Sequence, residues 1–129
     1  MRTAKLSRKQ NGFTLVEIMV VVGIIGLLAT IAICNMVVAR DNSRIRIIQR
    51  NLTQVESAKS LWALDNYKNE GDPVSDVTVI AAYLKGGTVQ TVVHETYVPN
   101  PIGTLAEATL PVDVRLGQYA AGASIPAPN

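Results

Sequence analysis

Residues 13–39 read FTLVEIMVVVGIIGLLATIAICNMVVA, a stretch with one charge, Glu17. A bilayer core about 30 Å thick is crossed by roughly 20 mainly apolar residues in helical form. The stretch meets that length, and its uninterrupted part, Ile18 to Cys34, has Thr30 as its one polar side chain. It exceeds the apolar region of about 7–15 residues found in a secretory signal. It therefore reads as a membrane helix. Glu17 is the exception, because a carboxylate inside or at the rim of hydrocarbon is costly and usually has a partner or a task.

Charge is unevenly placed around this stretch. The chain has 129 residues and a net charge of +2. Residues 1–12 hold Arg2, Lys5, Arg8 and Lys9 with no acid, so everything after them is net acidic. The pI near 8.9 thus describes the leader, and nucleic-acid binding does not follow from it. Basic residues beside a first membrane helix favour the cytoplasmic side, which predicts the C-terminal domain on the outer side. Cys34 is the one cysteine, so no disulfide can form within the chain. About 90 residues follow the apolar run, enough for one small domain.

The junction between leader and apolar run is Asn11-Gly12-Phe13-Thr14-Leu15-Val16-Glu17. Two cuts are open to it. A secretory peptidase would cut behind the run, between about Ala29 and Ala39, and discard the helix. A cut in front, between Gly12 and Phe13, would retain it.

The residues Arg8 to Glu17 resemble the start of the type IV pilins and type II secretion pseudopilins of bacteria. The resemblance is strongest over 8–33 and continues weakly to about residue 70. It implies that a membrane prepilin peptidase cuts after Gly12 on the cytoplasmic side and methylates the amine of Phe13. It implies that Glu17, then fifth in the chain, pairs with the terminal amine of a neighbouring subunit. That pairing is physically reasonable, since opposite charges attract strongly in a low dielectric while a lone buried charge is penalised. The plainer reading is that Glu17 snorkels at the membrane edge. The family often carries a kinking proline where this chain has Cys34. A straighter helix is expected here, because cysteine keeps the backbone N–H that proline lacks, with the thiol buried between subunits. Gly23 and Gly26 either allow close helix approach or are ordinary membrane-helix glycines.

Beyond the run, Val38, Ile45, Ile48, Leu52, Val55, Ala58 and Trp62 recur at helical spacing with polar residues between them, which is an amphipathic stripe. The expectation is one continuous helix from about Thr14 to Asn69, roughly 80 Å long, ended by Gly71-Asp72-Pro73. Its inner half needs lipid or neighbouring helices, so oligomerisation is expected. Arg40, Arg44, Arg46 and Arg50 read as interfacial anchors or intersubunit partners. The triplet Asn51-Leu52-Thr53 reads as a chance match to a glycosylation site.

The rest predicts a small antiparallel sheet against the helix. In residues 74–85 the β-branched run Val77 to Ile80 argues for strand, but Ile80, Tyr83 and Leu84 share one face, which favours a short helix capped by Ser75, Asp76 or Thr78. Strands are expected within 88–98, 104–110 and 112–120, with turns at Pro99-Asn100-Pro101 and near Leu116-Gly117. Residues 121–129 are expected to be a loose tail. The fold class is α+β and pilin-like: a 1–12 leader that is removed, 13–39 as membrane or filament-core helix, 40–70 as amphipathic helix, and 71–129 as a small periplasmic domain.

No catalytic constellation is visible. His94, beside Glu95, has no ligand-type residue at metal spacing, and Asp72, Asp76, Glu107 and Asp113 are too scattered for a calcium loop. Some pseudopilins bind calcium, but no residues here carry that over, and no other cofactor is expected. The expected function is a structural subunit of a type II secretion pseudopilus, not an enzyme. The alternatives are a type IV pilin, major or minor, serving adhesion, motility or DNA uptake, and a membrane-anchored periplasmic binding module that never polymerises. The resemblance implies as partners further copies of the chain, related pseudopilins, the prepilin peptidase, an inner-membrane assembly platform and the lipid bilayer. It implies a single pass through the inner membrane, then a periplasmic or surface filament.

Overall fold

The computed structural model describes residues 12–128. The basic leader side chains, Asn129 and the side chain of Cys34 lie outside the described residues. The chain divides into two compact units, Met1–Val37 and Val38–Asn129, and each is described by itself.

Helix α1 runs Leu15–Asp65. It passes through position 34 without a break, as expected where proline is absent. In the first unit its side chains face outward all round: Val22, Ile25, Leu28 and Ile33 are all more than half exposed. Its apolar window is long enough to span a membrane and is 0% buried. The one polar side chain there, Thr30, donates its hydroxyl to the Gly26 carbonyl at 2.9 Å, which satisfies it without a partner outside the helix. A Cβ built on Gly23 or Gly26 meets nothing within 4 Å.

In the second unit the stripe becomes a core face. Ile48, Leu52, Val55 and Ala58 are buried, with Ile45 and Trp62 packed at the margin. Val38 stays exposed, so the stripe starts at Ile45. The helix also ends earlier than expected. Tyr67 takes a left-handed φ of 51°. The Lys68 N–H donates to the Ala63 carbonyl at 2.9 Å and the Tyr67 N–H to Leu64 at 3.5 Å. That pair of bonds closes a helix in the manner usually built on glycine. Gly71 and Asp72 serve elsewhere, exchanging backbone bonds with Ile102.

The short helix is a 3₁₀ helix, Val77–Tyr83, with Asp76 as its N-cap. The β-branched run Val77-Thr78-Val79-Ile80 disfavours α-helix, and a tighter turn results. Ile80 and Leu84 are buried with Tyr83 beside them, so the expected face is present.

The sheet holds β1 (Thr96–Val98), β2 (Glu107–Thr109) and β3 (Ser124–Pro126), antiparallel in that order. Tyr97, Ala108 and Ile125 align across the three strands and all point into the core. Two expectations are corrected. Residues 112–120 form no strand; they hold a turn in which Leu116 and Tyr119 exchange backbone bonds with Gly117 at positive φ. The third strand lies instead in the supposed tail. Ile125 and Ala127 are buried, and Ala127 donates its N–H to Ala106. Pro126 is tolerated because β3 is an edge strand. Of residues 88–98 only Thr96–Val98 is strand, because His94 turns left-handed at φ 63°.

Candidate functional site

At the junction, Gly12 and Phe13 are both exposed, Phe13 at 83%, and no atom lies within 4 Å of a Cβ built on Gly12. The next residues start α1 with a reciprocal cap. Thr14 Oγ1 accepts the Glu17 N–H at 3.2 Å, while Glu17 Oε2 accepts the Thr14 N–H at 3.0 Å and its hydroxyl at 3.1 Å. This is a capping box, which satisfies helix N–H groups that have no partner in the turn before. The carboxylate also sits at the positive end of the helix. Both Thr14 bonds fall on Oε2, and Oε1 makes no hydrogen bond among those described. Glu17 can therefore cap its own helix and still offer an oxygen outward. The spacing Thr14-Leu15-Val16-Glu17 was the available signal for this cap.

Two buried charges carry the joint between α1 and the domain, and neither was singled out from the sequence. Lys59 is 2% exposed. Its Nζ donates to Glu56 Oε1 at 2.9 Å, to the Pro99 carbonyl at 2.9 Å and to the Thr104 carbonyl at 2.6 Å. Glu56 Oε1 also accepts the Ala106 N–H. One ammonium and one carboxylate thus fix the chain from residue 99 to 106 on the helix. A lysine on the core side of the stripe, three residues after a glutamate, was the clue.

Glu95 is the second, also 2% exposed. Its carboxylate accepts the N–H of Val92 at 3.0 Å, that of Val93 at 2.8 Å and the Tyr97 hydroxyl at 2.6 Å. Burial pushes its pKa up, but the bonds from Tyr97 and the backbone outweigh burial and hold it below the ordinary value. Burial and the Glu95 carboxylate both push the Tyr97 phenol up. Asn51 completes the cluster, donating to Tyr97 Oη at 2.9 Å and to the Gln90 carbonyl at 2.8 Å. The Asn51 amide is engaged in packing, so the triplet it begins has a structural role. His94 lies next to this cluster in sequence but is exposed.

Among the described residues, no three of His, Cys, Asp and Glu come together in a way that could hold a metal ion. Asp72 accepts the Asn69 N–H and Asp76 caps the 3₁₀ helix.

The family described as "Prokaryotic N-terminal methylation motif" matches residues 7–33. The chain is similar to the type II secretion system core protein G of Pseudomonas aeruginosa, with 35% identity over 60 residues, 46% of this chain and 42% of the relative. It is 37% identical over 62 residues to the protein of the same name from Vibrio cholerae, 48% of this chain and 42% of the relative. It is 36% identical over 76 residues to the type IV major pilin protein PilA of Myxococcus xanthus, 59% of this chain and 32% of the relative. The chain thus spans about two-fifths of the length of the first curated relatives it matches. No solved structure matches it.

Proposed function

We propose that this chain, a homologue of the type II secretion pseudopilins and type IV pilins, is a structural subunit of a secretion pseudopilus and not an enzyme. The observation that carries the reading is the methylation motif over 7–33 running directly into an apolar helix long enough to cross a membrane. The relatives named as type II secretion core proteins favour secretion.

In this reading the leader 1–12 lies in the cytoplasm. Prepilin peptidase cuts between Gly12 and Phe13 and methylates the Phe13 amine. Residues 13–39 rest in the inner membrane, the amphipathic part of α1 continues to Asp65, and 71–129 form the periplasmic domain. An assembly platform then moves the helix from lipid into a filament of like and related subunits. Glu17 receives the amine of the adjoining subunit through its outward oxygen, which the capping box leaves available.

Mass spectrometry of the mature N-terminus tests processing: methyl-Phe13 is expected, and an intact Met1 or a cut behind residue 39 overturns the reading. Glu17→Ala is expected to abolish filament assembly while leaving the chain in the membrane; normal filaments would refute the pairing. The Myxococcus pilin matches a larger share of this chain than the two secretion relatives quoted, and this favours a type IV pilin as the second reading. Deletion of the chain separates them: lost export with normal pili supports secretion, lost pili with normal export supports the pilin. A chain that keeps its leader or is cut by a different peptidase, and never polymerises, would be a membrane-anchored binding module.

A further inference from the structure

Four arginines, Arg40, Arg44, Arg46 and Arg50, follow the apolar stretch within eleven residues of Ala39. Arg44 lies 3.9 Å from Asp41. Among the described residues, Arg40, Arg46 and Arg50 have no carboxylate within ion-pair distance; the one other pair is Lys59 with Glu56. Helical spacing sets Asn42, Arg46, Gln49 and Arg50 on one side of α1, while Ile45 and Ile48 turn towards the core. The turn at Leu116 to Tyr119 adds Gln118 to that side. A concavity of about 330 Å³ is lined by Asn42, Ile45, Arg46, Gln49 and Gln118. An adjoining one shares Asn42 and Arg46. Every polar side chain lining the two can donate a hydrogen bond, and no acid lines either.

We infer that Arg46, with Arg50, Asn42, Gln49 and Gln118, seats the phosphate of an anionic phospholipid headgroup. Guanidinium groups bind phosphate oxygens through paired N–H donors. Asn42 and Arg46 lie three and seven residues beyond Ala39, roughly 5–10 Å along a helix. The headgroup region is about 5–8 Å deep on each side of the hydrocarbon, so the Asn42 backbone lies within it and that of Arg46 just outside. The long arginine stems let the charged ends settle at that level. The inference rests on the membrane reading above, and the experiment separates the two.

The full chain is placed in nanodiscs of equal phosphatidylglycerol and phosphatidylcholine, and the lipids retained on gentle release into a mass spectrometer are counted. Phosphatidylglycerol is expected to exceed phosphatidylcholine by about tenfold. Arg46→Gln with Arg50→Gln brings the ratio close to one. Gln118→Ala, at an exposed turn position outside the core, lowers it by about twofold to threefold. Lys68→Gln with Lys85→Gln removes the same charge elsewhere and leaves the ratio unchanged. Equal retention of both lipids by the unaltered chain, or equal loss in both double variants, overturns the seat while the membrane reading stands. Co-elution with the disc is measured separately, and a chain that does not co-elute overturns both.

Discussion

Lys59 holds three oxygens with one ammonium, two of them main-chain carbonyls of the segment facing α1. Removing one member of a buried pair leaves the others desolvated and unmatched. Lys59→Ala is therefore expected to cost about 3 kcal/mol or more, read as a lower urea midpoint by the fluorescence of Trp62, the one tryptophan. Glu95 gives a pH signature. Its folded pKa is lowered from the ordinary 4.5, so the charged form is stabilised by folding. That stability is complete above about pH 4.5 and is lost as pH falls through the lower folded value. Glu95→Gln should flatten the fall of the urea midpoint as pH drops below the ordinary 4.5. A variant with the same slope as the parent would show that Glu95 does not drive it.

Among the elements, α1 was legible from its apolar run and its stripe, but its end was not. Gly71 and Pro73 are the residue types that stop helices, yet the backbone turns left at Tyr67, a position no residue type announces. A non-glycine side chain there costs roughly 1 kcal/mol, and Tyr67 is 93% exposed, so it gains little from packing. Tyr67→Gly should raise stability by about 0.5–1 kcal/mol, measured by the same fluorescence titration; a loss would mean the ring has a contact that outweighs the strain. The sheet was legible as a class and not in its pairing. Strands of three residues leave too little alternation to read. Ile125 was the one large β-branched residue in a stretch of small residues and prolines, and it carries β3. At the junction, Glu17 stood out as the one charge in the apolar run, and the resemblance supplied the proposed cut between Gly12 and Phe13. The cap from Thr14 is local chemistry and could have been read directly. The Lys59 and Glu95 clusters join residues more than 40 positions apart for Lys59 and Asn51, which only folding brings together.

For the whole molecule, the two units carry different surfaces. The second unit buries its own core, from Ile48 to Ala127. The first leaves large side chains such as Phe13, Leu27 and Met36 exposed, and needs lipid or other helices to cover them. Charge does not fix orientation as firmly as the leader alone suggests. Arg2, Lys5, Arg8 and Lys9 precede the apolar run, and Arg40, Arg44, Arg46 and Arg50 follow it, so the flanks are matched in positive side chains. Orientation should then be sensitive to small changes. Arg2→Gln with Lys5→Gln, outside the matched stretch 7–33, should lower the activity of a C-terminal alkaline phosphatase fusion by about twofold or more. Unchanged activity would mean that something other than flanking charge sets the direction.

The position of β3 also has a meaning in time. The middle strand, β2, pairs with β1 on one side and with residues 124–126 on the other. The Ala106 carbonyl waits for Ala127 and the Leu110 N–H for Ala123. During synthesis the sheet stays open along one edge of β2 until residues 123–127 have emerged. By then residues 13–39 have long left the ribosome. The apolar helix thus meets its surroundings well before the domain behind it can close, and a pause in synthesis ahead of Ala123 would leave a half-finished sheet exposed to other chains.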